Sequence, residues 1–369
     1  MRVRVWLLGF CFGFAAAVSC SAGDWPQIHG PHRNGVADDE HLAEKWPEAG
    51  PKVLWRAKTG SGYSGVAVAE GKAILFHRVG DEDLLQALDA RTGKLIWITR
   101  LPEHYQPSIT DNNGPLCVPT IADNVIVCFG ADGRMSAVEF QTGNKLWSRP
   151  LCEEYQAPLG YFGAGSSPLI HDQKVFVNVG GDRKGAGIVA LELKTGKTVW
   201  AKLAEQASYS SPVLMPISGE PALIFITRLN AVALSPHDGK LLWKYPFGKR
   251  GPTVNAALPV IQGDGLFLTA SYGIGAVFLK CQRDDVTAAW KTDEFLSSQY
   301  TTSVPSGGAY YGIEGRQDAG SASLCCFDPA SQTMHWKEEG FIVGHLIAAD
   351  GKLIVLRDDG QLLLVRPNM

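Results

Sequence analysis

The sequence lacks the features that mark several large functional classes. It has no run of basic residues and a formal net charge of −3, which argues against nucleic acid as its main partner. Beyond the N-terminus it has no apolar run long enough to span a bilayer, so we expect no transmembrane segment. It has no G-x-S-x-G, H-E-x-x-H or G-x-x-x-x-G-K-S/T motif, which excludes the common hydrolase, zinc protease and phosphate-loop signatures.

The spacing of the cysteines does not indicate a metal or haem site. The chain has 8 Cys, with no C-x-x-C and no C-x-x-C-H. Cys117 and Cys128 are expected on neighbouring strands, where they could form a disulfide, although we favour two buried thiols. Cys325 and Cys326 are adjacent in a predicted strand and would point to opposite faces, so we expect two free thiols.

The N-terminus has the composition of an export signal. Basic residues at Arg2 and Arg4 precede an apolar run, which small residues follow up to Ala22. This order predicts a secretory signal peptide over residues 1–22 and a location in the periplasm or cell envelope. Lipidation at Cys20, which would make the protein a lipoprotein, is the alternative to simple cleavage.

A short motif recurs along the rest of the chain. The segment 87–97 reads A-x-D-x-x-T-G-x-x-x-W, and segments 137–147 and 190–200 repeat it with Glu in place of Asp. Each copy predicts a strand, a turn in which Gly adopts positive φ, and a second strand whose Trp packs against a neighbouring unit. These three copies should tolerate Trp→Ala least. The structural Trp series is Trp55, Trp97, Trp147, Trp200, Trp243, Trp290 and Trp336.

The spacing of these Trp residues predicts the architecture. A period of about 40–50 residues with four short strands per unit is typical of β-propellers. We predict an all-β fold, a seven-bladed β-propeller of four-stranded blades, with eight blades as the alternative. The N-terminal strand, Lys52–Ala57, should close the ring as the outer strand of the last blade. The predicted divisions are a signal peptide (1–22), an irregular lead-in (23–50) and the propeller (51–369).

The repeats resemble the pyrroloquinoline-quinone-like (PQQ-like) propeller repeat and its tryptophan-docking motif. The segments 25–35 and 46–55 are also similar to exported propeller proteins of planctomycete-type bacteria. The resemblance covers nearly all of the mature chain and implies the propeller fold. It leaves two functional directions open, because the repeat occurs both in quinoprotein alcohol dehydrogenases and in the outer-membrane assembly lipoprotein.

The dehydrogenase direction implies a bound quinone, a calcium ion, a catalytic Asp and a disulfide between adjacent cysteines. The chain is short for that class, and Cys325-Cys326 is expected in the third strand of the sixth blade, away from such a cofactor. We therefore predict no catalytic residue, no metal site and no cofactor. A PQQ- and calcium-dependent oxidoreductase is retained as the alternative function.

Arginine recurs in the loops that follow the second strands, at one mouth of the predicted axial channel. A ring of guanidinium groups would attract carboxylate or phosphate groups. Asp residues in the same loops could instead neutralise the ring, and we favour that interpretation. The candidate ligand-binding residues at this mouth are Arg78, Arg134, Arg228, Arg316, Arg357, Tyr63, Asn255, Tyr272, Tyr300 and His345.

Taken together, these features favour an exported, non-catalytic propeller. We expect a monomeric scaffold that binds a partner protein or a glycan in the cell envelope. Binding of a small anionic ligand at the Arg-rich mouth is a further alternative.

Overall fold

The computed structural model describes residues 23–38, 40–102, 105–107 and 109–369. Within them the chain forms seven four-stranded sheets, which are the blades of a propeller. The predicted all-β, seven-bladed fold is confirmed, and the eight-bladed alternative is wrong. The predicted signal peptide and Cys20 lie outside the described residues.

Blades 1 to 6 each contain four consecutive antiparallel strands, from the inner strand at the axis to the outer strand at the rim. Their bounds are Ala67–Ala69, Lys72–Val79, Glu82–Asp89 and Leu95–Pro102 in blade 1; Thr120–Ala122, Val125–Phe129, Arg134–Glu139 and Lys145–Pro150 in blade 2; Leu169–His171, Lys174–Gly181, Ala186–Glu192 and Thr198–Lys202 in blade 3; Val213–Ile217, Glu220–Ile226, Asn230–Leu234 and Leu241–Pro246 in blade 4; Val260–Gln262, Gly265–Ala270, Gly275–Cys281 and Val286–Thr292 in blade 5; and Val304–Ser306, Ala309–Arg316, Ser321–Asp328 and Thr333–Glu339 in blade 6. Blade 7 has the order Val36–Ala37, Gly344–Ala349, Lys352–Arg357 and Leu362–Val365.

Helical structure is confined to short loop segments. The described residues contain an α-helix at Leu151–Glu154 and 3-10 turns at Asp182–Lys184 and Gln317–Ala319. All three lie between strands of the blades, so the sheets alone build the ring.

The hydrophobic core lies between the blades. The second strand of blade 2, Val125–Phe129, is buried along its whole length. Ile126 joins a cluster with Phe76 of blade 1, whereas Val127 joins a cluster with Val177 of blade 3. Successive side chains therefore pack against opposite neighbours, which explains why these strands are continuously apolar.

The repeated motif forms the turn between the third and outer strands. In blade 1 the Thr92 backbone N–H and side-chain Oγ1 donate to Asp89 Oδ1 at 2.7 and 2.6 Å. Gly93 follows with a φ of 69°, which a residue with a side chain adopts only at a cost. The acidic residue, Thr and Gly of the motif therefore have a local structural role.

The motif Gly also receives the Trp of the preceding blade. A Cβ atom at Gly143 would lie 2.5 Å from the Trp97 ring, and one at Gly196 would lie 2.6 Å from the Trp147 ring. The Trp97 and Trp147 indole N–H groups donate to carbonyl oxygens of the next blade, at 3.1 and 2.8 Å. Each such Trp thus links two successive blades.

The strand that closes the ring differs from the predicted one. Val36–Ala37 pairs in parallel with Ala348 and Ala349 on the axial side of blade 7. The segment 52–57 forms no strand, so its predicted pairing as the outer strand was wrong. Small, buried alanines on the axial side of blade 7 leave space there for another backbone segment. Trp55 nevertheless donates to Ala90 O in blade 1, at 2.9 Å.

The lead-in covers one end of the axial channel. Trp25 pairs with Val68 of blade 1 through N–O contacts of 2.7 and 2.9 Å, and Pro26 O accepts the Ile121 N–H of blade 2 at 2.8 Å. The chain then crosses to blade 7, where Val36–Ala37 is added. We call this end of the ring the closed face. The opposite end, which carries the loops preceding the inner strands, is called the open face.

The cysteines are buried free thiols throughout the described residues. Cys117 and Cys128 do not form the alternative disulfide. Cys326 lies in the core between blades 6 and 7, whereas Cys325 lies in the core between blades 5 and 6. Their opposite orientation follows from strand alternation, as predicted.

Candidate binding face

The predicted Arg residues lie at the open face, because the start of a blade's first strand, the end of its second and the start of its third are at the same end of an antiparallel sheet. Near the ends of second strands are Arg78, Arg316 and Arg357, whereas Arg134 begins a third strand and Arg228 lies in a loop. Arg78 is buried and donates to the carbonyl oxygens of Gly80, Tyr105 and Asn113 at 2.9–3.1 Å. Its side chain therefore holds the long loop between blades 1 and 2.

Three other guanidinium groups are paired within their own loops. Arg134 lies 3.7 Å from a carboxylate oxygen of Asp132, and Arg357 lies 3.0 Å from one of Asp359. Arg316 forms a direct hydrogen bond with Asp318. The hydrogen bond with Asp318 raises the pKa of Arg316 and lowers that of the carboxyl group.

Arg228 is held by neutral groups. It donates to Thr253 Oγ1 at 2.8 Å and to the carbonyl oxygen of Gly251. Arg228 and Asn255 line one cavity of the open face, whereas Arg316 and Tyr272 line another. These two pairs of candidates therefore line separate cavities. A common anion site at the axis stays a prediction.

The aromatic candidates also occur in pairs or alone. The Arg316 guanidinium lies 4.3 Å from the centre of the Tyr272 ring. Tyr300 stacks on His345 at 5.6 Å, and burial raises the pKa of Tyr300 to about 12. Burial among protein atoms also lowers the pKa of His345, although its side chain still meets solvent. Tyr63 is 74% exposed and projects from the face.

Hydroxyl groups link neighbouring inner strands at the open face. Ser166 Oγ donates to Ser210 O at 3.0 Å, and Ser210 Oγ donates to Ala257 O at 2.8 Å. Thr301 Oγ1 likewise donates to Gly344 O at 2.8 Å. These small polar residues satisfy main-chain groups around the narrow channel and hold adjacent blades together.

The largest feature that sequence reasoning missed is Arg33 in the lead-in. Its buried guanidinium donates to Gln27 Oε1 and Pro212 O at 2.8 Å, and also to Pro168 O, with Thr120 Oγ1 at 3.5 Å. Burial lowers the pKa of Arg33 to about 9, so the group stays charged at neutral pH. One side chain thus connects the inner strands of blades 2, 3 and 4. The sequence feature that could have indicated this contact is the repeated Ser-Ser-Pro sequence, which supplies both proline carbonyls.

His29 lies beside this group and should make stability depend on pH. Burial, and then the charges of His345 and Arg33, lower the pKa of His29 from 6.5 to about 4. Between these values the unfolded chain binds a proton that the folded chain does not, so stability should fall as pH decreases from 6.5 to 4, by up to about 3 kcal/mol. Denaturant unfolding at several pH values measures this loss.

The matched variant for this prediction is His29→Gln. It keeps a polar side chain but cannot titrate, so its stability should decline less over the same pH interval. Superimposable pH profiles for the two proteins would show that His29 does not contribute.

The described residues do not fit a quinone and calcium site. They contain no cluster of three or more His, Cys, Asp or Glu residues that could hold a metal ion. Cys325 and Cys326 face different interblade cores, and the Arg33 side chain lies inside the channel beside Pro168 and Pro212. We therefore derive no chemical step through these groups.

Comparison with known proteins places the chain in a family. The family model for the outer membrane protein assembly factor BamB matches residues 47–200 and 154–338. The chain belongs to this family. BamB from Burkholderia pseudomallei is 22% identical over 368 residues, covering 88% of this chain and 91% of the relative. The crystal structure of BamB from Moraxella catarrhalis matches with a TM-score of 0.58 and 17% identity, over 83% of this chain and 84% of that chain, and supports the fold.

Similarity to quinoproteins is more restricted than similarity to BamB. Quinohemoprotein alcohol dehydrogenase ADH-IIG from Pseudomonas putida is 29% identical over 133 residues, which are 34% of this chain and 17% of that enzyme. The shared part is therefore a minor fraction of the enzyme. No helix in the described part of the chain is long and apolar enough to cross a membrane.

Proposed function

We propose that the protein is an exported, non-catalytic scaffold of the cell envelope that takes part in outer-membrane protein assembly by binding an envelope protein. Membership of the BamB family supports this role. The predicted signal peptide supports export, with lipidation at Cys20 as one means of attachment. A glycan remains the alternative partner.

The observation that carries the proposal is the difference between the two faces. The lead-in covers the closed face, where Trp25 and Pro26 pair with blades 1 and 2. On the open face, Tyr63, Ile109 and Tyr161 are 74%, 57% and 43% exposed. Exposed aromatic and aliphatic side chains on loops held by a rigid scaffold suit partner binding.

Complementation in a strain that lacks the chromosomal gene tests this role. Loss of the gene should reduce the amount of folded outer-membrane protein, measured by heat-modifiable mobility on gels. The full-length wild-type chain should restore it. A Tyr63→Glu/Tyr161→Glu variant should restore less than half of it, because each change introduces a charge into a surface that the partner would bury.

Lys145→Glu is the matched control, since Lys145 is exposed on the outer strand of blade 2. It should complement like the wild type. Normal outer-membrane protein levels without the gene would contradict the assembly role. Full complementation by the Tyr variant would contradict the assignment to the open face.

A further inference from the structure

A cavity of about 360 Å³ opens between the loops of blades 3, 4 and 5 on the open face. Its wall includes Asn178, from the second strand of blade 3, and Asn255, from the loop before blade 5. Their side chains are almost completely buried, with 1% and 3% of each residue exposed. A polar residue in an otherwise apolar, buried strand such as Lys174–Gly181 is itself unusual.

Both amides are held through their nitrogen atoms. Asn178 Nδ2 donates to Ile226 O at 3.0 Å, and Asn255 Nδ2 lies 3.4 Å from the carbonyl oxygens of Thr227 and Arg228. Neither Oδ1 atom has a hydrogen-bond partner among the described residues. Both Oδ1 atoms are almost completely shielded from solvent, so the two amides shape the cavity wall and leave recognition to its more accessible groups.

The Gly-rich segment before blade 3 fixes another part of the wall. A Cβ atom at Gly160 would collide with the Tyr209 hydroxyl, and one at Gly165 would lie 3.0 Å from its ring. The Tyr209 oxygen accepts the Phe162 backbone N–H at 2.8 Å, which leaves its own O–H able to donate. Burial raises the pKa of Tyr209 to about 12, so the hydroxyl keeps its proton.

The remaining lining indicates the charge and shape of a ligand. Arg228 lines the cavity, and no carboxylate does so among the described residues. Leu159 and Tyr161 also line it and remain 42% and 43% exposed. The set combines hydrogen-bond donors with exposed apolar and aromatic surface, as in pockets that bind small polar molecules.

The main chain beside the cavity is already paired. The Tyr209 and Ser210 N–H groups both donate to Asn255 O, at 3.0 and 2.9 Å, and Ala207 forms a bridge with Thr227. Recognition therefore depends on side chains, which disfavours a peptide added as an extra strand.

We propose that this cavity binds a neutral sugar unit, such as the terminal mono- or disaccharide of an envelope glycan. Tyr209 and Arg228 would donate hydrogen bonds to sugar oxygens. The Tyr161 ring would cover an apolar face of the sugar. This binding assigns a place and a ligand class to the alternative glycan partner, and it does not depend on the proposed binding of an envelope protein.

Isothermal titration of the mature chain with maltose, cellobiose and N,N′-diacetylchitobiose tests the proposal. At least one should bind with a dissociation constant of about 1 mM or below. Tyr209→Phe, which keeps the ring between the glycines, should weaken binding by about five- to tenfold through the loss of one hydroxyl. Tyr161→Ala should also weaken it.

Tyr63→Ala is the matched control, because Tyr63 is exposed on the same face and does not line the cavity. It should bind sugar like the wild type. No binding by any of the three sugars, or equal affinity of Tyr209→Phe and the wild type, would overturn the proposal. Binding of N-acetyl-tetra-alanine in place of the sugars would assign the cavity to peptides instead. Complementation is scored separately, so either proposal can fail alone.

Discussion

Replacing Arg33 by Met is expected to be among the most destabilising single changes in the lead-in. Met fills a similar length but donates no hydrogen bond. The buried carbonyl oxygen of Pro212 would therefore lose its donor, and Pro168 O would keep only Thr120 Oγ1, at 2.8 Å. A buried acceptor left without a donor costs about 1–3 kcal/mol, and the lost hydrogen bonds to Pro168 O and Gln27 Oε1 add to this, so we expect a loss of about 2–5 kcal/mol. Denaturant unfolding followed by tryptophan fluorescence measures it.

Two further variants separate the guanidinium from the general effect of removing an arginine. Arg33→Lys keeps the charge but cannot reach acceptors on separate blades with one planar group, so it should recover only part of the stability. Arg56→Met should change stability little, because Arg56 is exposed. If Arg33→Met unfolds at the wild-type midpoint, the lead-in does not hold the blades together.

The blades could be predicted because their determinants are local and repeated. In segments such as Ala87–Trp97, the acidic residue, Thr and Gly specify the turn, and the Trp specifies the contact with a neighbour. Continuous apolar strands such as Val125–Phe129 then indicate burial on both faces. Each determinant lies within a few residues of the turn or strand that it specifies. The same features therefore identify each further repeat in the sequence.

The ring closure could not be predicted in the same way. Val36–Ala37 is a two-residue strand without alternation, and its partner lies more than 300 residues later in the chain. Lys52–Ala57 has a better strand pattern, yet it forms no strand. Pattern indicates that a segment can form a strand, whereas its pairing depends on contacts that exist only in the assembled ring, such as that of Val36–Ala37 with Ala348 and Ala349.

The candidate site illustrates the same limit at the level of side chains. The recurrence of Arg could be read from the sequence, but the partners of Arg316 and Arg357 depend on loop conformations that bring Asp318 and Asp359 to them. Asn178 was not among the candidates, although a single Asn within an apolar strand marks it. Its relation to Asn255 depends on the packing of three blades.

Replacing Trp147 or Trp200 by Ala is expected to reduce stability by about 3–5 kcal/mol, the usual cost of truncating a core aromatic residue. Both are buried, with 8% and 7% exposed, and each packs on the motif Gly of the next blade. The midpoint of denaturant unfolding, measured for each variant under the same conditions, reports the loss.

The burial of the other Trp residues changes the order expected from motif preservation. Trp97 ends a well-preserved copy but is only partly buried, whereas Trp243 ends a weak copy and is 4% exposed. Trp243→Ala should therefore cost more than Trp97→Ala, because the cost follows the apolar area removed from water. A greater loss at Trp97 would show that the motif turn, and not interblade burial, determines the contribution of these residues.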